Sequence, residues 1–71
     1  MNREELFAAM VNMHTVRIHD SHTGLYYDAR IQSIEIEDGS GYNFNITVVT
    51  DKFEKRQIFY RAKQGSVVIR V

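Results

Sequence analysis

Three histidines fall within nine residues: His14, His19 and His22, with Asp20 among them. Imidazole nitrogens and a carboxylate are ligands that zinc and nickel accept. His19 at the end of a strand and His22 in the turn after it are the candidate pair, and His14 would have to reach from the far end of that strand. The spacing fits no standard metal motif, so the three are read as surface imidazoles and no metal or other cofactor is expected. Nucleophilic chemistry has as little to build on. The chain has no Cys, so a serine would need both a base and an orienting acid. Ser21 has Asp20 and His22 as sequence neighbours, but neighbours on a tight turn do not face one another in that geometry. Ser40 lies between glycines without the strand-to-helix elbow that exposes a nucleophile. Paired carboxylates occur only at Glu35, Glu37 and Asp38, on an exposed strand end. Enzyme activity is not expected. Asn45-Ile46-Thr47 matches the glycosylation pattern, and without a secretory signal it is read as chance.

The remaining chemistry is that of binding. Lys52, Lys55, Arg56, Tyr60, Arg61 and Lys63 interleave cations with aromatic rings. Cations hold phosphates while ring faces stack on bases, which suits single-stranded RNA or DNA on a small β-fold. Tyr26 and Arg30, outward on an earlier strand, would extend that surface. The competing reading is that these cations form a solvated face and that one aromatic belongs to the core. Periodicity leaves open whether that aromatic is Phe59 or Tyr60. The formal net charge is zero, which weakens a phosphate-binding reading. The charge is unevenly spread, with residues 1–51 at −5 and residues 52–71 at +5. Either the halves neutralise each other across the fold, the favoured reading, or an acidic face lies beside a basic one.

The elements that position these residues follow from periodicity. Two strands, at about 25–38 and 42–50, flank Asp38-Gly39-Ser40-Gly41, a hairpin signal from residues that tolerate positive φ. Along the first of them the apolar positions are odd at Tyr27, Ala29 and Ile31 and even at Ile34 and Ile36. Side chains alternate faces along a strand, so this parity change requires a bulge near Gln32-Ser33. Phe44, Ile46 and Val48 share one face of the return strand. Ahead of the hairpin, Asn2 and Glu5 predict a capping box for a helix at about 3–12. Its apolar pairs are Leu6/Met10 and Phe7/Val11. A strand at 15–20 turns Val16 and Ile18 inward and Arg17 and His19 outward. Beyond the hairpin, Asp51 and Glu54 predict a capped helical turn, then strands at 57–61 and 66–71.

One short helix and five short strands predict a single small domain over residues 1–71. Its class is α+β and mainly β: a five-stranded antiparallel small barrel or strongly bent sheet. The layout resembles SH3-like and Sm-like barrels, and the helix before the first strand leans the resemblance toward the Sm-like form. Gly24 stands where one Sm-like glycine would; the Asp–Met–Asn stretch of that family has no counterpart here. With 71 residues and 44% apolar content, the core is thin, and a partner subunit is the natural external support. The last strand is apolar on both faces apart from Arg70. Its edge is expected to be covered, by the first strand of a closed barrel or by a second copy. Glu4 and Glu5 and the absence of a long apolar run argue against a signal peptide or membrane association, and a cytoplasmic location is expected. The favoured function is a non-catalytic accessory regulator that docks on a larger protein; the alternative is a single-stranded nucleic-acid-binding module using residues 52–63.

Overall fold

The computed structural model describes residues 1–39 and 41–71. Ser40, placed above in the hairpin loop, lies outside the described residues. The order is α1 (Arg3–Val11), β1 (Thr15–Asp20), β2 (Leu25–Ile36), β3 (Asn43–Thr50), β4 (Lys55–Arg61) and β5 (Val67–Arg70). All strand pairs are antiparallel, and the sheet order is β4-β3-β2-β1-β5. The sheet does not close: β4 and β5 are its two edges. Thus β5 pairs with the first strand as expected, yet its other side stays open, because no β4–β5 ladder completes a barrel.

The bulge in β2 lies where the parity change puts it. Ile31 pairs with Val48 and Ser33 with Thr47, so β2 carries one residue more than β3 between them. That extra residue keeps Ala29 and Ile31 on the same face as Ile34 and bends the strand. The inner face then holds Val16 and Ile18 from β1, Phe44, Ile46 and Val48 from β3, and Val67 and Ile69 from β5, all buried. In β4 the register is fixed by the pairs Phe44–Tyr60 and Ile46–Ile58. Tyr60 is therefore core, 4% exposed, and Phe59 points outward at 58%.

The Asn2–Glu5 capping box forms, with Glu5 N–H donating to Asn2 Oδ1 at 2.8 Å and Asn2 N–H to Glu5 Oε1 at 3.2 Å. The helix buries Leu6 and Ala9, with Met10 partly buried against the core, whereas Val11 is 72% exposed. The inner stripe is thus Leu6–Ala9–Met10, because Val11, the last helical residue, lies about 140° round the helix from Leu6 and faces away from the sheet. It stops in a Schellman arrangement: His14 N–H donates to the Ala9 carbonyl and Met13 N–H to that of Met10. Met13 takes a φ of 56° there, a position usually given to glycine. Among the described residues, no helix is long and apolar enough to cross a membrane.

Two loops differ from expectation. Between β2 and β3 the ladder ends at Ile36, Glu37 N–H donates to the Asn43 carbonyl, and Gly41 rather than Gly39 carries the positive φ. Between β3 and β4, Asp51 does not cap a helical turn. Thr50 Oγ1 instead accepts from the backbone N–H of Lys52 and Glu54, at 3.3 and 3.1 Å. Phe53 N–H donates to the Thr50 carbonyl, and Thr50 N–H to that of Glu54. This is a tight turn followed by one residue of positive φ, which lets β4 pair from Lys55 rather than 57.

Candidate binding face

The outer face of the sheet is read from the strand registers. One row runs Arg70, Arg17, Asp28 across β5, β1 and β2. The next runs Thr15, Arg30, Val49, Lys55 across β1 to β4. On the other side of the first row lie Val68, His19 and Tyr26. Three arginines, Arg17, Arg30 and Arg70, therefore share this face with the carboxylate of Asp28. Arg17 Nε donates to Asp28 Oδ1 at 3.1 Å, and the Arg17 guanidinium carbon lies 5.4 Å from the centre of the Tyr26 ring. The bond to Asp28 and the contact with Tyr26 hold Arg17 more firmly in its charged form. His19 packs beside Tyr26 with ring centres 5.3 Å apart.

Open grooves run over this face. One, about 460 Å³, is lined by Thr15, Ala29, Arg30, Val49 and Phe53, among others. A second, about 390 Å³, shares Thr15 and Asp28 with it and reaches Arg17, Tyr26 and Arg70. Phe53 marks one end of the system. It sits at the β3–β4 tip with a φ of 63° and is 88% exposed. Glycine is the residue that this conformation favours, and a bulky side chain there is an outlier.

The basic and aromatic segment does not form one surface. Lys52 and Lys55 are exposed around the Phe53 tip, and Lys55 shares the row of Arg30. Arg56 turns to the inner side, where its guanidinium lies 4.9 Å from the Tyr27 ring centre and pairs with Glu54 at 3.1 Å. Burial raises the Tyr27 pKa and the nearby Arg56 opposes this, so the ring stays a neutral phenol beneath the cation. Tyr60 is core; its hydroxyl donates to the Met1 carbonyl and accepts from the Met1 nitrogen, at 3.2 and 2.7 Å. Arg61 pairs with Glu37 at 2.7 Å, and Lys63 Nζ lies 4.0 Å from the Tyr42 ring centre. These last two belong to the opposite end of the molecule from Phe53. Tyr26 and Arg30 do share the outer face, and Tyr26 is 61% exposed.

Arg17, Arg70, Asp28 and Phe53 were outside the set that sequence reasoning singled out. Alternation places Arg17 outward, but its row with Arg70 exists only through the β1–β5 pairing of residues some fifty apart. The histidines are scattered: His19 packs at a tilt beside Tyr26, and the His22 N–H donates to Asp20 Oδ1 in the turn. Among the described residues, no three His, Cys, Asp or Glu are grouped to hold a metal ion. Ser21 Oγ donates to the Ser66 carbonyl at 2.7 Å, so it ties β5 to the turn rather than facing His22. Comparison with protein-family models, with curated proteins and with solved structures finds no match for this chain, and the reading of the face rests on its own chemistry.

Proposed function

We propose that this chain is a non-catalytic binding module, an accessory regulator that docks on a larger protein through the outer face between Phe53 and Arg70. Phe53 carries the reading. A ring that is almost wholly exposed adds nothing to the core, and its backbone conformation costs free energy that glycine would not incur. Such a residue makes sense as an anchor that is buried only when a partner arrives. Interface anchors are commonly aromatic and arginine side chains ringed by weaker contacts. Here Arg30 and the partly apolar groove beside Phe53 supply that setting.

A second reading has one observation in its favour. Arg30 lines the groove beside Phe53, Lys52 and Lys55 are exposed near it, and Tyr26 lies on the same face, so a phosphate chain with stacked bases would also find cations and rings there. The two readings part experimentally. The wild-type chain, Phe53→Ala and Phe53→Gly are used as bait in extracts of the source cell. The docking reading expects one protein retained by the wild type and lost from both variants, with a weakening of at least about thirtyfold for a true anchor. Retention by the variants would sink it. Binding of single-stranded RNA or DNA that falls steeply with salt, and is lost in Arg30→Glu/Lys55→Glu, would establish the second reading in its place.

A further inference from the structure

We infer that the open edge of β5 takes an extended acidic segment of the protein partner as an added strand, with a carboxylate of that segment opposite Arg70. The inference rests on the protein-docking reading and names the chemistry of the partner. Its first support is the edge. β5 pairs with β1 alone, and among the described residues no strand lies against its other side. An exposed edge offers a row of backbone N–H and C=O groups that an extended peptide can complete. Nucleic acid has no equivalent backbone to offer it.

The second support is charge. Along the row the signs run minus at Asp28, plus at Arg17, plus at Arg70. Asp28 is engaged by Arg17. Arg70 is exposed, directly opposite a like charge, and no carboxylate is paired with it among the described residues. Like charges directly opposite on a ladder are unfavourable. A strand added to β5 places its own residue opposite Arg70, and a carboxylate there would flank the two cations with two anions. Two residues along, the added strand would face Val68, beside a cleft of about 160 Å³ lined by Arg17, His19, Tyr26, Val68 and Arg70. The segment that fits is an acidic residue and an apolar residue separated by one position.

A second copy of this chain does not meet that requirement. Its two open edges are β4, with sequence KRQIFYR, and β5, with sequence VVIR. Neither strand holds a carboxylate, and Glu54, just before β4, comes opposite Arg70 only in a register that leaves residues 58–61 of β4 unpaired. The occupant is a different protein.

The test uses synthetic peptides in an extended threonine–valine background. One has a central Glu-Thr-Val, one Gln-Thr-Val and one Lys-Thr-Val. The Glu peptide is expected to bind about fivefold more tightly than the Gln peptide, the worth of a good cross-strand charge pair. The margin should narrow with salt, the β5 amides should be protected from exchange, and Arg70→Glu should transfer the preference to the Lys peptide. Arg70 is exposed, so the substitution leaves the core intact. Absence of peptide binding overturns the inference, as does a preference that survives Arg70→Glu. Concentration-dependent self-association through β5 also overturns it, because the edge is then occupied by a second copy. Capture that depends on Phe53 while the peptides show no charge preference refutes the strand addition and leaves the docking reading standing.

Discussion

Phe53→Gly should make the protein more stable. The φ of 63° places Phe53 in the left-handed region, where an L side chain costs about 1–2 kcal/mol through its Cβ. Glycine removes that cost but gains freedom in the unfolded chain, which returns about 0.5–1 kcal/mol. The ring is 88% exposed, so its loss takes away almost no burial. The net expectation is a gain of about 0.5–1 kcal/mol, or roughly 2–8 °C in Tm for a domain of this size. Phe53→Ala separates the two contributions, since it removes the ring and keeps the Cβ; its stability should stay within about 0.5 kcal/mol of the wild type. Urea titration read by circular dichroism gives both differences, with an unchanged slope showing that the same surface is exposed on unfolding. A Phe53→Gly variant less stable than Phe53→Ala would refute the reasoning, because the backbone at the tip would then not favour glycine.

Met13→Gly applies the same physics at the helix end, where Met13 is exposed with a φ of 56°, and should raise the urea midpoint by a similar amount; a lowered midpoint would mean that the methionine side chain contributes contacts worth more than the strain. Burial raises the pKa of Tyr60 above the ordinary tyrosine value of 10.0, so the native chain holds a proton that the unfolded chain releases. That stability is fully present below about pH 10 and is lost as the pH climbs through the raised native value. Tyr60→Phe should lower stability by about 1 kcal/mol at neutral pH through the lost Met1 hydrogen bonds and flatten the alkaline decline, leaving the part due to Tyr27; an equally steep decline in urea midpoints would remove Tyr60 as its source.

Features fixed by a few neighbouring residues were legible in the sequence. The parity change between Ile31 and Ile34 located the bulge, since alternation is a property of the strand itself. Asn2 and Glu5 located the helix start for a similar reason: the capping box closes within one turn. Features that depend on distant pairing were not legible. Both alternations of β4 carry an aromatic, Tyr60 on one and Phe59 on the other, and only the pairing with Phe44 and Ile46 decides between them. The basic segment 52–63 looked like one surface because its residues are contiguous, but a strand sends neighbours to opposite faces and two turns send its ends to opposite ends of the sheet. Hence Tyr60 entered the core, Arg56 covered Tyr27, and Arg61 reached Glu37. That Arg61–Glu37 pair joins one charge of the basic half to one of the acidic half. The outer Arg17–Arg70 row escaped notice because each member is an ordinary outward arginine until β1 and β5 are set side by side.

The bulge also sorts the charge of the outer face. Before it, β2 carries Arg30 outward, in the row that leads to Lys55; after it come the exposed Glu35 and Glu37, followed by Asp38 in the loop. One bent strand thus joins a basic corner to an acidic one, within a chain whose formal net charge is zero. A neutral molecule gathers no charged partner from afar, since exposed charges are screened over about a Debye length of 8–10 Å. Within that length the separated corners act as a dipole and exert a torque. In the docking proposed above, an acidic partner would be drawn to the Arg17–Arg30–Arg70 corner and repelled by Glu35, which would favour one orientation on the face. Tightness has to come from elsewhere, from apolar area withdrawn from water, and Phe53 is the large exposed side chain beside the basic corner that can supply it. In that proposal, orientation from the arginines and tightness from one ring are separable quantities: the arginines lie on β1, β2 and β5, and the ring lies in the turn between β3 and β4.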